Sequence, residues 1–562
     1  TVSHSYNYST DDVVSIGLDP TEAQYVPARF DRLSNTWTSG TNASINTTTH
    51  VMSAPWLSNT ANIDGEYTAG DNNPTNPFGT PKVFYSRING ASAGSGLWSN
   101  SAIWSFTSNT GTANTGGLVP GANDIVIIGA NDSVYLATNN TTANTDPRSC
   151  ASLQIERGSA LDIGFNPSCS FGVVTTHPNG NGNFRLTTSW NSGSTYAFPA
   201  GDFSDFNINL GTTELYSTNP NAGTTYWLPN GILSYGNLIL SPLGGSNIIF
   251  PNNNLTIYGN LITRGQNADS WFCPSWDSNY PTAPATRIAK TITIFGNLDI
   301  QGGALIWYGN GTITQNFVVY GDVKVAPNAA IQAYSGATSQ NMSIGGNLIN
   351  NTVGTIAGGT TTVRQCNFSL VPVTFFGNTS ATISNTLNSP LTVFDKVILN
   401  KGNSQATTLT ISIGGTLTTL TDNWLTLQNG TLIYNRTGNL NIATGTPLVI
   451  PASAGLTINN SPSNITIGTN TTSGTILSLS GKLKLTSNFT GNVYIGTNGT
   501  TAASHNDIQY SSAGTSAIEI ASGNLFVNGQ IRRDPSNASG ILSYTQTGGN
   551  VTILGNAVAA SP

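Results

Sequence analysis

The chain has 562 residues, of which only 8% are charged, about a third of the share in an ordinary soluble domain. Apolar residues make up 38% and recur in short alternating runs, which argues against a disordered chain. The net charge is -6, the basic residues form no cluster, and no apolar run reaches about 18 residues, so nucleic-acid binding and a membrane span are not expected.

The first 117 residues show no clear repeat. Residues 1–90 carry tryptophans and several prolines, and they predict a separate β-rich or irregular unit. Residues 91–117 predict a cap, because a repeat protein must cover its first turn to block edge pairing. Thr1 begins a polar stretch that is unlike a signal peptide, so we expect that a signal has been removed or that the chain is part of a longer protein.

Residues 118–557 contain a recurring motif of alternating apolar residues, then Gly, then Asn or Asp, then an aliphatic residue. Copies of the motif are Tyr235–Leu238, Leu255–Leu261, Ile292–Leu298, Val318–Val323, Ser343–Leu348 and Val551–Asn556. The interval is 23 residues from Gly236 to Gly259, and 25 residues from Gly296 to Gly321 and from Gly321 to Gly346. A unit of this length holds three short strands and three turns, which is one turn of a parallel β-helix.

The sequence therefore predicts an all-β chain, a right-handed parallel β-helix (solenoid) with an N-terminal β-rich or irregular cap region. We expect roughly 19 turns and a rod on the order of 90 Å long. The motif predicts that the glycines adopt left-handed turn conformations, that Thr293 faces outward, and that four apolar residues face inward: Ile257, Ile294, Val319 and Ile344. An up-and-down barrel or a sandwich is the alternative fold. Residues 558–562 suggest a linker or a truncation point.

An aromatic insertion interrupts the repeat between Gly259 and Gly296, whose separation exceeds one repeat unit by about a dozen residues. We expect residues 268–287 to form a loop that projects from the rod. Its aromatic residues are the candidate binding residues, suited to stacking on a sugar or to a protein partner: Trp271, Phe272, Trp276 and Tyr280. The alternative is that these side chains fold back onto the flank of the rod.

The four cysteines show no metal or redox spacing. Cys150 and Cys169 are about one turn apart and suggest a disulfide, and Cys273 with Cys366 suggests a second. The alternative is that the cysteines are small buried hydrophobic residues.

The sequence offers few residues that could catalyse a reaction. The chain has five glutamates and only scattered aspartates, whereas glycoside hydrolysis needs two positioned carboxylates. Asp299 and Asp322 are separated by one repeat unit and suggest acids stacked on one face, although solvated turn residues are the simpler interpretation. The histidines form no metal-binding motif. We therefore expect no catalytic cluster, no metal and no cofactor.

Three stretches resemble the large secreted cell-surface proteins of gliding Bacteroidota that are exported by the type IX secretion pathway. They are Phe84–Arg87 with Gly96–Ser99 and Ile103–Ser105, Val119–Ile127 with Cys150–Ile155, and Ser543–Val551. The resemblance implies an extracellular or cell-surface protein, often a giant adhesin, although the C-terminal sorting domain of such proteins is not recognisable here. Asp132-Ser133-Val134 resembles a Bacteroidota O-glycosylation site, which would place a glycan on Ser133.

The expected function is that of an extracellular adhesin, or a rod-like segment of one, that presents a binding surface away from the cell. The expected partner is a surface polysaccharide or another surface or secretion-pathway protein. Two alternatives remain open, a carbohydrate-active enzyme on a β-helix and a structural sheath or surface-layer subunit.

Overall fold

The fold is nearly all β in the computed structural model. Among the described residues, helices are limited to the α-helix Ser204–Ile208 and the 3-10 helix Ser101–Ile103. The structure describes residues 2–9, 25–31, 36–39, 44–56, 66–71, 82–87, 96–114, 117–136, 148–178, 180–189, 191–219, 223–265, 270–274, 289–307, 313–333, 340–355, 363–421, 423–442, 447–459, 463–468, 474–496, 506–511 and 516–555.

Two small antiparallel sheets form the N-terminal unit. The first orders its strands as Val2–Asn7, Val51–Trp56 and Ser44–Asn46. The second orders them as Thr36–Ser39, Tyr25–Asp31 and Glu66–Asp71. The expected β-rich unit therefore occupies the described residues up to Asp71, whereas Val83–Ser86 already pairs in parallel with a strand of the rod.

From Val83 onward, successive turns of chain stack in parallel and place their strands on three faces. Face 1 comprises Gly96–Leu97, Ser133–Tyr135, Ala160–Asp162, Asn183–Leu186, Thr212–Tyr216, Asn237–Ser241, Leu261–Arg264, Leu298–Trp307, Val323–Val325, Leu348–Asn350, Ala381–Ser384, Thr408–Ile411, Leu425–Tyr434, Ala454–Ile458, Lys482–Leu485, Ser516–Ile520 and Leu542–Gln546. Each of these strands pairs with the next one along this list.

Faces 2 and 3 follow face 1 in each turn. Face 2 comprises Ser194–Thr195, Thr225–Trp227, Asn247–Ile249, Trp271–Cys273, the second half of Leu298–Trp307, Ala329–Ala333, Cys366–Phe368, Leu391–Phe394, Thr416–Thr419, Leu440–Ile442, Asn464–Ile467, Asn492–Ile495, Asn524–Val527 and Asn550–Ile553. Face 3 comprises Val83–Ser86, Ile125–Ile128, Ser149–Ile155, Ser170–Thr176, Ala200–Asp202, Ser234–Tyr235, Leu255–Ile257, Lys290–Ile294, Gln315–Val319, Gln340–Ile344, Val373–Gly377, Val397–Lys401, the first half of Leu425–Tyr434, Leu448–Ile450, Gly474–Leu479, Asn506–Tyr510 and Ile531–Arg533.

The prediction of an all-β parallel β-solenoid is confirmed. The solenoid has about 13 turns rather than roughly 19. The turns with a strand on every face lie within residues 183–533. The estimate was too high for two reasons. The turns before residue 183 have no described strand on face 2 and are not among the 13, and the 13 turns over residues 183–533 average about 27 residues each instead of 23. At about 4.8 Å per turn, the three-faced part extends on the order of 60 Å.

The core fills the space between the three faces. Face 3 strands such as Lys290–Ile294 alternate buried and partly exposed residues, as a strand with one buried side requires. The four residues predicted to face inward are fully buried, and Thr293 is partly exposed, as expected. In-register pairing stacks equivalent residues, so Ile292 lies between Leu255 and Phe317. Each turn therefore adds an apolar layer to one continuous core.

The Gly-Asn pair of the repeat is explained by close packing between turns. The Asn260 side-chain Oδ1 accepts a hydrogen bond from the backbone N–H of Asn297 at 2.8 Å, and Asn297 accepts likewise from Asp322. A Cβ on Gly296 would lie 2.6 Å from Asn260 Oδ1 and 2.6 Å from the backbone of Gly259. The predicted left-handed conformation is wrong for Gly259, Gly296, Gly321 and Gly346, which do not have positive φ, whereas Gly555 in the last copy of the motif does have it, at 71°. Glycine is needed at those four positions because the preceding turn leaves no room for a Cβ atom.

A tryptophan-rich cap covers the first turn. Trp104–Ser105 pairs antiparallel with Val83–Ser86 at the end of the face 3 sheet, which occupies an edge that would otherwise be open. Trp98 and Trp104 are fully buried and meet edge to face with centroids 5.3 Å apart, and Trp104 Nε1 donates to the Trp98 carbonyl at 2.9 Å. The assignment of residues 91–117 as a cap stays a prediction. The remaining strands, Gly354–Thr355 and Val363–Arg364, form a small antiparallel pair.

Candidate functional site

The prediction that residues 268–287 project from the rod as a loop is wrong for the part that the structure describes. Trp271 and Phe272 belong to the face 2 strand Trp271–Cys273, which pairs with strands in the turns before and after it. Phe272 is fully buried in the core, and Trp271 packs against a second apolar cluster that contains Cys273. The additional residues between Gly259 and Gly296 come after the strand Trp271–Cys273 in the sequence and do not include it. Trp276 and Tyr280 lie outside the described residues.

The four cysteines are all buried, and no disulfide joins any of them. The proposed Cys150–Cys169 and Cys273–Cys366 bridges are therefore absent. Burial raises the pKa of Cys150 to about 12, and burial also raises the pKa of Cys366. The alternative interpretation, that these residues act as small core hydrophobes, fits this geometry. Ser133 is partly exposed on face 1, and its glycosylation stays a prediction.

Asp299 and Asp322 do not stack on each other. Asp299 is on a face 1 strand in register with Lys324, whereas Asp322 occupies the Asn position of the repeat and its Oδ1 accepts from Asn347. The spacing of the two acids was misleading because this turn is 25 residues long, from Asn297 to Asp322. Among the described residues, no group of three or more His, Cys, Asp or Glu is positioned to hold a metal ion.

A charged cluster on face 1 links three consecutive turns. Arg185 Nε donates to Glu214 at 2.8 Å, and its NH1 group donates to Asp162 at 3.1 Å. The Tyr216 hydroxyl also donates to Asp162, and its ring lies 5.0 Å from the guanidinium carbon. Burial lowers the pKa of Arg185, but the two carboxylates outweigh it and raise that pKa. Because these groups are engaged with one another, the cluster joins turns rather than presenting a reactive group.

A column of partly exposed rings runs along one edge of face 3. Phe295 lies between Tyr258 and Tyr320, with centroids 6.3 and 5.0 Å away and nearly parallel planes, and Tyr320 meets Phe376 edge to face. Tyr258, Phe295 and Tyr320 are 38%, 48% and 49% exposed. Rings stacked from turn to turn cover one another's faces, so the column contributes to stacking between turns and leaves mainly ring edges in contact with solvent.

A pocket of about 530 Å³ opens on the outside of the first turns of the rod. Tyr85 and Ile127 are paired in register on adjacent face 3 strands, which places both side chains on the outward side. After each face 3 strand the chain bends toward face 1, and Asp132 and Glu156, the two acids of the pocket, lie in these bends. The described lining residues are Tyr85, Asn109, Thr110, Ile127, Ala130, Asp132 and Glu156.

Several contacts fix the wall that carries Asn109 and Thr110. A Cβ on Gly129 would overlap the Asn109 side-chain nitrogen, so the amide packs where only glycine fits. Arg87 Nε donates to the Gly111 carbonyl at 2.9 Å, and its NH1 group donates to the Ala102 carbonyl at 3.2 Å. These contacts hold the 106–114 segment against the first strands.

The two acids of the pocket differ in their surroundings. Asp132 is 2% exposed and accepts a short hydrogen bond from the Ser86 hydroxyl, which itself accepts from the Gly129 N–H at 2.7 Å. Glu156 is partly exposed and accepts from the Gln154 amide through Oε1. Asp132 therefore organises the turn, while Glu156 is the acid with access to a ligand. Sequence reasoning missed this pocket because its residues come from four separate segments without a common motif.

No helix among the described residues is long and apolar enough to cross a membrane. No protein-family model matches the sequence, and neither a search of curated proteins nor one of solved structures found a match.

Proposed function

We propose that the chain is an extracellular adhesin, or a rod-like segment of one, that holds a binding surface away from the cell. The observation that carries the proposal is the unbroken parallel stacking of face 1 from Gly96–Leu97 to Leu542–Gln546. Each turn is bonded to its neighbours along the backbone, so the stack acts as a stiff spacer. The low content of charge makes its contacts insensitive to salt.

The extracellular location and the type IX export route rest on the sequence resemblance to surface proteins of gliding Bacteroidota. The partner is a surface polysaccharide or another surface or secretion-pathway protein. A carbohydrate-active enzyme is the second candidate, because two carboxylates line one pocket. Glu156 is the accessible acid of the two, and Asp132 is buried and hydrogen-bonded to Ser86.

Attachment of coated beads tests the proposal. We expect beads that carry the 562-residue chain to attach to layers of bacterial cells at least ten times more often than albumin-coated beads. Attachment is expected to persist in 0.5 M salt, because few charges are involved. Periodate treatment of the cells removes attachment if the partner is a glycan, and protease treatment removes it if the partner is a protein.

Attachment equal to that of the albumin control would contradict the adhesin. The same cell layers also test the enzyme, because release of reducing sugar into the medium would show cleavage of a polysaccharide. Ordered arrays of the purified chain in electron micrographs would instead favour the sheath or surface-layer subunit.

A further inference from the structure

We infer that the pocket at Tyr85 and Glu156 binds a pyranose unit of a glycan that carries no acidic group. The inference rests on the proposed adhesin function, and it names both the site and the ligand class. The pocket volume of about 530 Å³ lies within the roughly 300–1,000 Å³ typical of small-molecule sites and suits one or two sugar rings.

The charges around the pocket select against acidic ligands. Two carboxylates, those of Asp132 and Glu156, line it, and the described lining residues include no Lys, Arg or His. The nearest arginine in sequence to Tyr85, Arg87, is bonded to the carbonyls of Gly111 and Ala102. Among the described lining residues, a uronate, sialate or phosphate would therefore meet two carboxylates and no cation, which disfavours its binding.

The remaining lining combines an apolar floor with polar groups, as a pyranose ring requires. Tyr85, Ile127 and Ala130 offer an aromatic ring and aliphatic carbon against which the C–H face of a sugar packs. Glu156 and Asn109 offer acceptors and an amide donor for hydroxyl groups. Hydrogen bonds from hydroxyls to a carboxylate are stronger than those between neutral groups.

The pocket is also held in shape before a ligand arrives. Asn109 is fixed against Gly129, and the Glu156 carboxylate is held by Gln154. A preformed site loses less conformational entropy on binding than a mobile one. This rigidity favours the binding of a small ligand such as one end or one branch of a glycan chain.

Titration of the full chain with defined oligosaccharides tests the inference. The neutral probes are cellotetraose, xylotetraose, maltotetraose and mannotetraose, and the acidic probe is tetragalacturonate. We expect at least one neutral probe to bind by saturation-transfer NMR and the acidic probe to bind more weakly. Tyr85→Ala and Glu156→Gln should each weaken that binding at least tenfold.

Tyr320→Ala is the matched control, because it removes an exposed ring of the aromatic column outside the pocket, and it should leave the affinity unchanged. Glu156→Gln keeps the size and the acceptor of the side chain, so it tests the pocket even if Tyr85→Ala fails to fold. Absence of binding by every neutral probe, tighter binding of the acidic probe, or unchanged affinity in Glu156→Gln would overturn the inference. If bead attachment survives Glu156→Gln, the pocket is not the site of attachment, and the proposed adhesin function is not contradicted.

Discussion

Ile294→Asp is expected to lower the free energy of unfolding by more than about 4 kcal/mol, or to prevent recovery of soluble protein. Ile294 is fully buried in the core, in register between Ile257 and Val319 in the adjacent turns. A carboxylate at this position has apolar neighbours above and below it and no partner for its charge. Urea unfolding followed by circular dichroism, together with limited proteolysis, measures the effect.

Thr293→Asp is the matched control for this substitution. Thr293 is the adjacent residue on the same strand, it is partly exposed, and its side chain faces solvent. The control is expected to change the free energy of unfolding by less than about 1 kcal/mol. Equal losses in the two variants would show that the inward and outward sides of this strand are wrongly assigned.

Gly296→Ala is expected to cost about 1–3 kcal/mol, a large effect for a single methyl group. The added Cβ would lie 2.6 Å from the backbone carbon and oxygen of Gly259 and 2.6 Å from Asn260 Oδ1. Both contacts come from the preceding turn, so relief requires the two turns to separate or the Asn260–Asn297 hydrogen bond to break. Thermal unfolding of the purified variant is the measurement.

Gly121→Ala provides the comparison, because a Cβ there would have its nearest neighbour, Asp124 Oδ2, at an ordinary 3.7 Å. Gly121 is also absent from the residues with positive φ, so alanine adopts its backbone conformation without strain. We expect a change below about 0.5 kcal/mol. A Gly296→Ala variant as stable as Gly121→Ala would mean that neighbouring turns are not packed this closely.

The repeat could be predicted from the sequence because strand alternation and the Gly-Asn pair recur in each turn. Ile257 and Ile294 follow directly from the period of two. The role of the glycines could not be predicted, since a need for space and a need for positive φ leave the same residue in the sequence. Trp271 was misplaced because an insertion between two motifs does not show where within the turn the extra residues lie.

The pocket was beyond prediction for a different reason. Tyr85 and Ile127 are far apart in the sequence, and they become neighbours only through the register of two parallel strands whose connection has no regular length. Asn109 reaches the site on a segment held by Arg87, and nothing in the local sequence indicates that contact. Long-range contacts of this kind depend on the complete stack of turns.

Disulfide formation between consecutive turns tests the stacked parallel register most directly. Thr293 and Val318 are partly exposed partners on adjacent face 3 strands, and Ser343 is the next partner in the same column. We expect the double variant Thr293→Cys with Val318→Cys to form an intramolecular disulfide under mild oxidation, because adjacent strands lie about 4.8 Å apart. Thr293→Cys with Ser343→Cys spans two turns and should remain reduced, as peptide mass spectrometry will show. A disulfide in the second pair, or none in the first, would contradict the parallel solenoid.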